Sequence, residues 1–317
     1  MLLALGCTSV VLTPTAPPLP ADAPVLIAVW ETMAEMSAAR TGLGVGTVNG
    51  KIYAIGGLNL IGRALDLVEE YDPATNRWRT VSPLPKPLHH VAVVTLDNKL
   101  YVIGGLEGRR SDPSDGVYIY DPELDAWERG TPLLVARGAS AAATLNGSIY
   151  VFGGVTEGGV TSRTDVYDPA KDRWETRLVL PTPRSHMGAA AIGSFIYVAG
   201  GRGEAGPATL GALDVYDPLK NRWASQPDLP TARAGVAVVT DGNTLYVLGG
   251  EDIGNAYAVM EGFDIDAGEW ITFEPFSSPR HGLGAVIVDS RLYIVGGGPT
   301  AGQSVSASVE SIPLTSF

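Results

Sequence analysis

Four histidines, three loop arginines and one glutamate are the residues best suited to chemistry in this 317-residue chain. His90 and His186 hold the same place in a recurring pattern. Each stands two residues after a position filled in turn by Arg40, Leu88, Arg137, Arg184, Arg233 and Arg280, and His89 and His281 come one residue earlier. Imidazole changes charge close to neutral pH, so such a group would make a polar or pH-sensitive lining. The plainer reading is a set of hydrogen-bonded rim histidines. Arg109, Arg110, Arg202 and Glu251 lie in segments of variable length and dissimilar composition, the kind of segment that carries binding residues on a rigid scaffold.

The recurring arginines point away from a ligand. Acids follow them at a matching position, Glu69, Asp165, Asp214, Glu261 and Glu310, and where Leu88 replaces the arginine, Tyr118 replaces the acid. Loss of both together predicts structural ion pairs: Arg40–Glu69, Arg137–Asp165, Arg184–Asp214, Arg233–Glu261 and Arg280–Glu310.

Other chemistries find no footing. Gly201-Arg202-Gly203-Glu204-Ala205-Gly206 matches a dinucleotide-binding fingerprint, but Pro207 and a strand follow it, not a helix. The chain has neither a phosphate-cradling P-loop nor a G-x-S-x-G nucleophile elbow. Cys7 is the only cysteine, which excludes a disulfide or thiolate metal site in the folded repeats. No cofactor and no metal are expected. With 22 basic against 34 acidic side chains the formal charge is −12, unfavourable for nucleic acid.

The elements that must position these residues repeat six times. Glycine pairs at 56–57, 104–105, 153–154, 200–201, 249–250 and 296–297 recur at intervals of 48, 49, 47, 49 and 47 residues, and Trp30, Trp78, Trp127, Trp174, Trp223 and Trp270 recur at the same intervals. A fixed period of this size means a solenoid, propeller or array. Each repeat reads as four short antiparallel strands: one of small residues, one ending in Gly-Gly, one opening a Tyr-Asp-Pro turn, and one carrying the Trp. Asn49-Gly50, Asn146-Gly147 and Asp241-Gly242 are hairpin turns, and Asp72-Pro73 and its equivalents are turns of another type. The fold class is therefore all-β, a six-bladed β-propeller of four-stranded antiparallel blades.

Gly-Gly, Tyr and Trp in this phase, over roughly residues 25–312, resemble the kelch repeat. The resemblance implies a kelch propeller with only His90 and His186 at the channel mouth, while the repeat's own phase and variable loops put His281, Arg109, Arg110, Arg202 and Glu251 on the same rim. It implies a non-enzymatic binding module whose partner is a protein, a peptide or a glycan. The alternative is a sugar mutarotase like the six-bladed periplasmic sialic-acid enzyme, with the rim residues as acid, base and carboxylate-binding cations. The copper-radical chemistry of galactose oxidase is excluded, because its crosslinked cysteine has no counterpart, and the iron motif of nitrile specifiers is absent.

The ends complete the picture. The last repeat lacks a Trp strand and Val25–Trp30 is a spare one, so the N-terminal strand is expected to close the ring and remove two sheet edges. Residues 1–24 stand outside the repeat. They read as a lipoprotein-signal remnant ending at Cys7 and a proline-rich linker, which suggests a lipid anchor at Cys7 and an extracytoplasmic location. The stretch is too short to span a membrane. The propeller, residues 25–317, is expected to be a monomer.

Overall fold

The computed structural model describes residues 29–108, 112–204 and 208–314. They form six four-stranded antiparallel sheets and, among the described residues, no helix. The first blade shows the pattern. Its strands are Gly44–Val48, Lys51–Ile55, Val68–Asp72 and Arg77–Thr80, paired in that order, with Ile52 opposite Tyr71 and Tyr71 opposite Trp78. The second strand is covered on both faces by neighbouring blades and so reads as an apolar run. The innermost strands crowd the axis. A Cβ on Gly284 would lie 2.0 Å from a methyl of Val45, so the sixth blade packs against the first only with glycine there.

Blades are stitched together by hydrogen bonds that repeat around the ring. The second glycine of each pair donates its N–H to the carbonyl at the arginine position of the next blade: Gly57 to Leu88, Gly105 to Arg137, Gly154 to Arg184, Gly201 to Arg233, Gly250 to Arg280 and Gly297 to Arg40, all at 2.7–3.0 Å. The first glycine of the pair faces the same oxygen. A Cβ on Gly104 would sit 2.2 Å from the Arg137 oxygen, and its φ of +61° is left-handed, so glycine meets both demands.

A second circle runs near the periphery. Each Trp donates its indole N–H to a carbonyl of the preceding blade, four residues after that blade's own Trp: Trp78 to Ala34, Trp127 to Ser82, Trp174 to Thr131, Trp223 to Leu178, Trp270 to Pro227 and Trp30 to Glu274, at 2.8–3.1 Å. The Trp ring also packs against the third-strand aromatic of its own blade, as Trp127 does on Tyr120 with centroids 4.9 Å apart.

The chain's first described strand closes the ring. Glu31–Met33 pairs with Val309–Pro313 in the register Glu31 to Ser311, Thr32 to Glu310 and Met33 to Val309. The closing strand thus follows Trp30, where the sequence suggests one over Val25–Trp30; residues 25–28, like Cys7 and the rest of 1–24, lie outside the described residues. Trp30 joins the apolar cluster that holds Ile312 and meets Phe276 edge-on at 5.6 Å. Asn49-Gly50 adopts two successive left-handed residues, as a type I′ hairpin requires. Asp241-Gly242 does not. Only Gly242 is left-handed there, and Asp241 instead caps the turn by accepting from the Asn243 and Thr244 amides and the Tyr246 hydroxyl.

Strand direction puts hairpins and Tyr-Asp-Pro turns on one face, the lower, and the loops joining second to third strands on the other, the upper. Trp30→Ala removes both a peripheral bond and packing at the closure, and should cost about 3 kcal/mol. Urea denaturation measures it, and a loss below about 0.5 kcal/mol would mean that Trp30 does not hold the ring shut.

Candidate functional site

The upper face is built on the five buried arginines. Arg40 reaches Glu69 at 2.7 Å, Arg137 reaches Asp165 at 2.8 Å, Arg184 reaches Asp214 at 2.7 Å and Arg233 reaches Glu261 at 2.5 Å; Arg280 and Glu310 are also paired. All ten side chains are buried. The guanidinium also donates to backbone oxygens: Arg40 bonds those of Ala54, Gly56 and Leu67, tying second strand to third. Burial lowers Arg40 to about 10 against the opposing pull of Glu69. In the second blade Leu88 and Tyr118 are buried in one apolar cluster, an uncharged solution to the same packing problem.

Two residues after each of these positions the backbone turns left-handed in all six blades: Gly42, His90, Ala139, His186, Gly235 and Gly282, with φ between +50° and +67°. Their peptides form a closed circle around the axis. His90 donates its N–H to the Gly42 carbonyl, Ala139 to His90, His186 to Ala139, Gly235 to His186, Gly282 to Gly235, and Gly42 back to Gly282, at 2.6–2.9 Å. This circle is the floor of a pit.

All four histidines of the chain line that pit, a cavity of about 310 Å3. His89 and His90 approach Nδ1 to Nδ1 at 2.6 Å, so one of the two carries the shared proton. The His90 and His186 rings meet nearly perpendicular, centroids 5.1 Å apart, and the Ser185 hydroxyl lies 3.0 Å from His186 Nδ1. Gly42 makes room for this group: a Cβ there would sit 2.6 Å from the His90 ring. On the opposite wall Glu251 is clamped by Arg202 at 3.0 Å and by the Gly302 amide at 2.8 Å, with His281 Nδ1 at 3.6 Å.

Burial disfavours the charged form of three of these histidines. Burial holds His89 at about 4, and also His186, where Arg202 adds to it and Glu251 opposes. His90 is pushed well below the ordinary imidazole range by burial and then by His186 and His89. Among the described residues no three His, Cys, Asp or Glu side chains are spaced to hold a metal ion.

The structure thus brings His90, His186, His281 and Glu251 into one cavity, with Arg202 bonded to Glu251. Arg109 and Arg110 lie outside the described residues. The sequence places His89 one position before His90 without giving it a place in the site, yet its ring completes the cluster. Gln303, which bonds the Leu60 carbonyl at 2.7 Å, and the exposed Leu60, Ile61 and Ile253 escape sequence reasoning altogether. They come from three loops that only ring closure makes neighbours, and nothing in their local sequence announces it.

Arg40→Leu strands a buried carboxylate and should cost about 3–5 kcal/mol in urea denaturation. Combining it with Glu69→Tyr, the pair the second blade uses, should cost less than Arg40→Leu alone. For His89, His90 and His186, a folded pKa below the unfolded 6.5 means that the unfolded chain takes up more protons as pH falls. Stability should be full above pH 6.5 and decline toward pH 4, by up to about 1.4 kcal/mol per unit for each histidine. Urea denaturation across that range should show a shallower decline in His89→Gln/His186→Gln.

Comparison with known proteins agrees with this architecture. The family model for the KLHDC2/KLHL20/DRC7 Kelch-repeats domain matches residues 27–176 and 90–297. Human Kelch-like protein 33 is 39% identical over 79 residues, 25% of this chain and 15% of that protein. Beta-scruin of Limulus polyphemus is 30% identical over 88 residues, 28% of this chain and 10% of that protein. The Influenza virus NS1A-binding protein homolog of Mus musculus is 37% identical over 84 residues, 26% of this chain and 13% of that protein. The matched segments span about a seventh or less of these relatives' lengths. With the family model covering most of the chain and six blades in a closed ring, this protein belongs to the kelch-repeat β-propellers.

Proposed function

We propose that this propeller is a binding module that captures a protein or peptide segment on its upper face, with the histidine pit receiving one side chain or chain end. The observation that carries the reading is conformational. Three of the six left-handed floor positions hold glycine, which fits there without strain, yet two hold histidine at φ +50° and +57°. A side chain in that region costs of order 1–3 kcal/mol, and such strain concentrates at functional sites. The floor circle rings the base of the cavity, and exposed Leu60, Ile61 and Ile253 offer apolar contacts on the surrounding loops. Among the relatives, the Influenza virus NS1A-binding protein homolog is by its name a protein binder.

Glu251 favours binding over sugar ring opening. Its two oxygens are engaged by Arg202 and the Gly302 amide, so it is a fixed hydrogen-bond acceptor and not a free acid or base.

The strain argument supplies its own test. His186→Gly and His90→Gly should leave stability within about 1 kcal/mol of wild type, because glycine relieves the backbone as it removes the ring. Peptides selected on the wild-type protein from a random displayed library should bind these variants at least tenfold more weakly in fluorescence anisotropy. Equal affinity for wild type and both variants would move the binding site out of the pit.

A further inference from the structure

A second cleft is on the lower face, far from the histidines in the chain's topology. It lies between blades five and six and measures about 770 Å3. The Phe273 ring packs over Gly262 and Tyr246 along one side of it, its centroid 5.5 Å from that of Tyr246. At four of the other junctions the second-strand Tyr of one blade packs against the third-strand Tyr of its neighbour, as Tyr53 does on Tyr120 and Tyr150 on Tyr216, with centroids 5.7 and 6.0 Å apart. Tyr246 finds Ile312 at that position, and both belong to one cluster. In the first blade, Glu70 stands opposite Arg79 across the third and fourth strands; in the fifth, the matching pair is Gly262 and Ile271. The cleft is left with an apolar surface including Ile271, Ile287 and Leu314, and Ile271 is 45% exposed.

Its rim carries a single sign of charge. Asp241, Asp264 and Asp266 line it. Other blades neutralise the Asp of this turn: Asp72 pairs with Lys51 at 2.8 Å, Asp121 with Lys99 at 3.3 Å, Asp168 with Lys171, and Asp217 with Lys220 at 3.6 Å. Asp264 has no such partner among the described residues, and residues 234–279 contain eight acids and no Lys, Arg or His.

We infer that this cleft docks a basic, partly apolar segment of another protein, an extended strand in which Lys or Arg alternates with aliphatic residues. The aliphatic groups and the lysine stems would lie on Ile271, Ile287 and Leu314, and the ammonium groups would meet the three aspartates. Charge argues against nearer occupants. Residues 1–28 and 315–317 hold no Lys, Arg or His, and a second copy of the chain brings a further −12. The inference is independent of the pit.

The test uses the full chain and a labelled seven-residue peptide alternating Lys and Leu, with Glu/Leu and Lys/Ser peptides as controls. Anisotropy at low salt should show binding of Lys/Leu alone. That binding should weaken at least tenfold in Asp241→Asn/Asp264→Asn/Asp266→Asn, where Asn retains the turn-capping oxygen, and stay unchanged in His186→Gly. If the triple variant does not fold, Ile271→Lys, at an exposed position, carries the same expectation. Equal binding to the variants overturns the inference. So does equal binding of Lys/Ser, or an equal loss on neutralising Asp97, Glu123 and Glu128 on blade two, since either would mean general charge attraction. Binding that appears only after residues 315–317 are removed puts the chain's own end in the cleft, and self-association through Ile271 puts a second copy there; both overturn it.

Discussion

The ring stands on hydrogen bonds that cross from blade to blade at the same three radii. At the axis, six left-handed residues pass N–H to carbonyl around a full turn; further out, Gly-Gly amides grip the next blade's arginine carbonyl; at the edge, indole N–H groups reach back to the blade before. Because the outer and middle circles run in opposite directions around the ring, each blade is held by both neighbours through groups it both offers and receives. A blade buries too little alone to be stable, and its stability comes from these shared contacts. Closure matters for the same reason. Glu31–Met33 and Trp30 give the sixth blade its fourth strand, and without that strand the edge of Val309–Pro313 would lie open.

The five buried ion pairs serve this geometry more than they serve net stability. Taking an arginine and a carboxylate out of water is costly, and the pair recovers it only with full hydrogen bonding. Arg233 comes nearest to that, bonding the carbonyls of Gly249, Val247 and Thr231 in addition to Glu261, whereas Arg40, Arg137, Arg184 and Arg280 each keep a buried Nε without a hydrogen-bond partner. Blade two shows that Leu88 and Tyr118 can fill the same space without charge.

Much of this was legible in the sequence because repetition is a strong signal. Blade count, strand order, the Arg–acid partners and ring closure all follow from phase, since a residue that recurs every 48 or so positions must meet the same neighbours each time. The described part of the closing strand, Glu31–Met33, comes directly after Trp30. The site was only partly legible for the converse reason. Its members are departures from the repeat: His90 and His186 can be picked out as substitutions at glycine-rich positions, but the contact of His89 with His90, the clamp on Glu251 and the apolar loop tips depend on side-chain directions and loop paths that no period encodes. The lower cleft escaped likewise, since it depends on how side chains of two blades pack across their junction.

The floor circle also decides what a guest can feel. Its six N–H groups all point the same way round, like arrows on a wheel rim, and around a closed wheel their tangential components sum to nothing. A helix terminus greets a visitor with bare amides and a fixed partial charge; this floor has spent its amides sideways on one another. Discrimination between guests therefore falls to the imidazoles and the loops, and a change of two side chains could give the same scaffold a different taste.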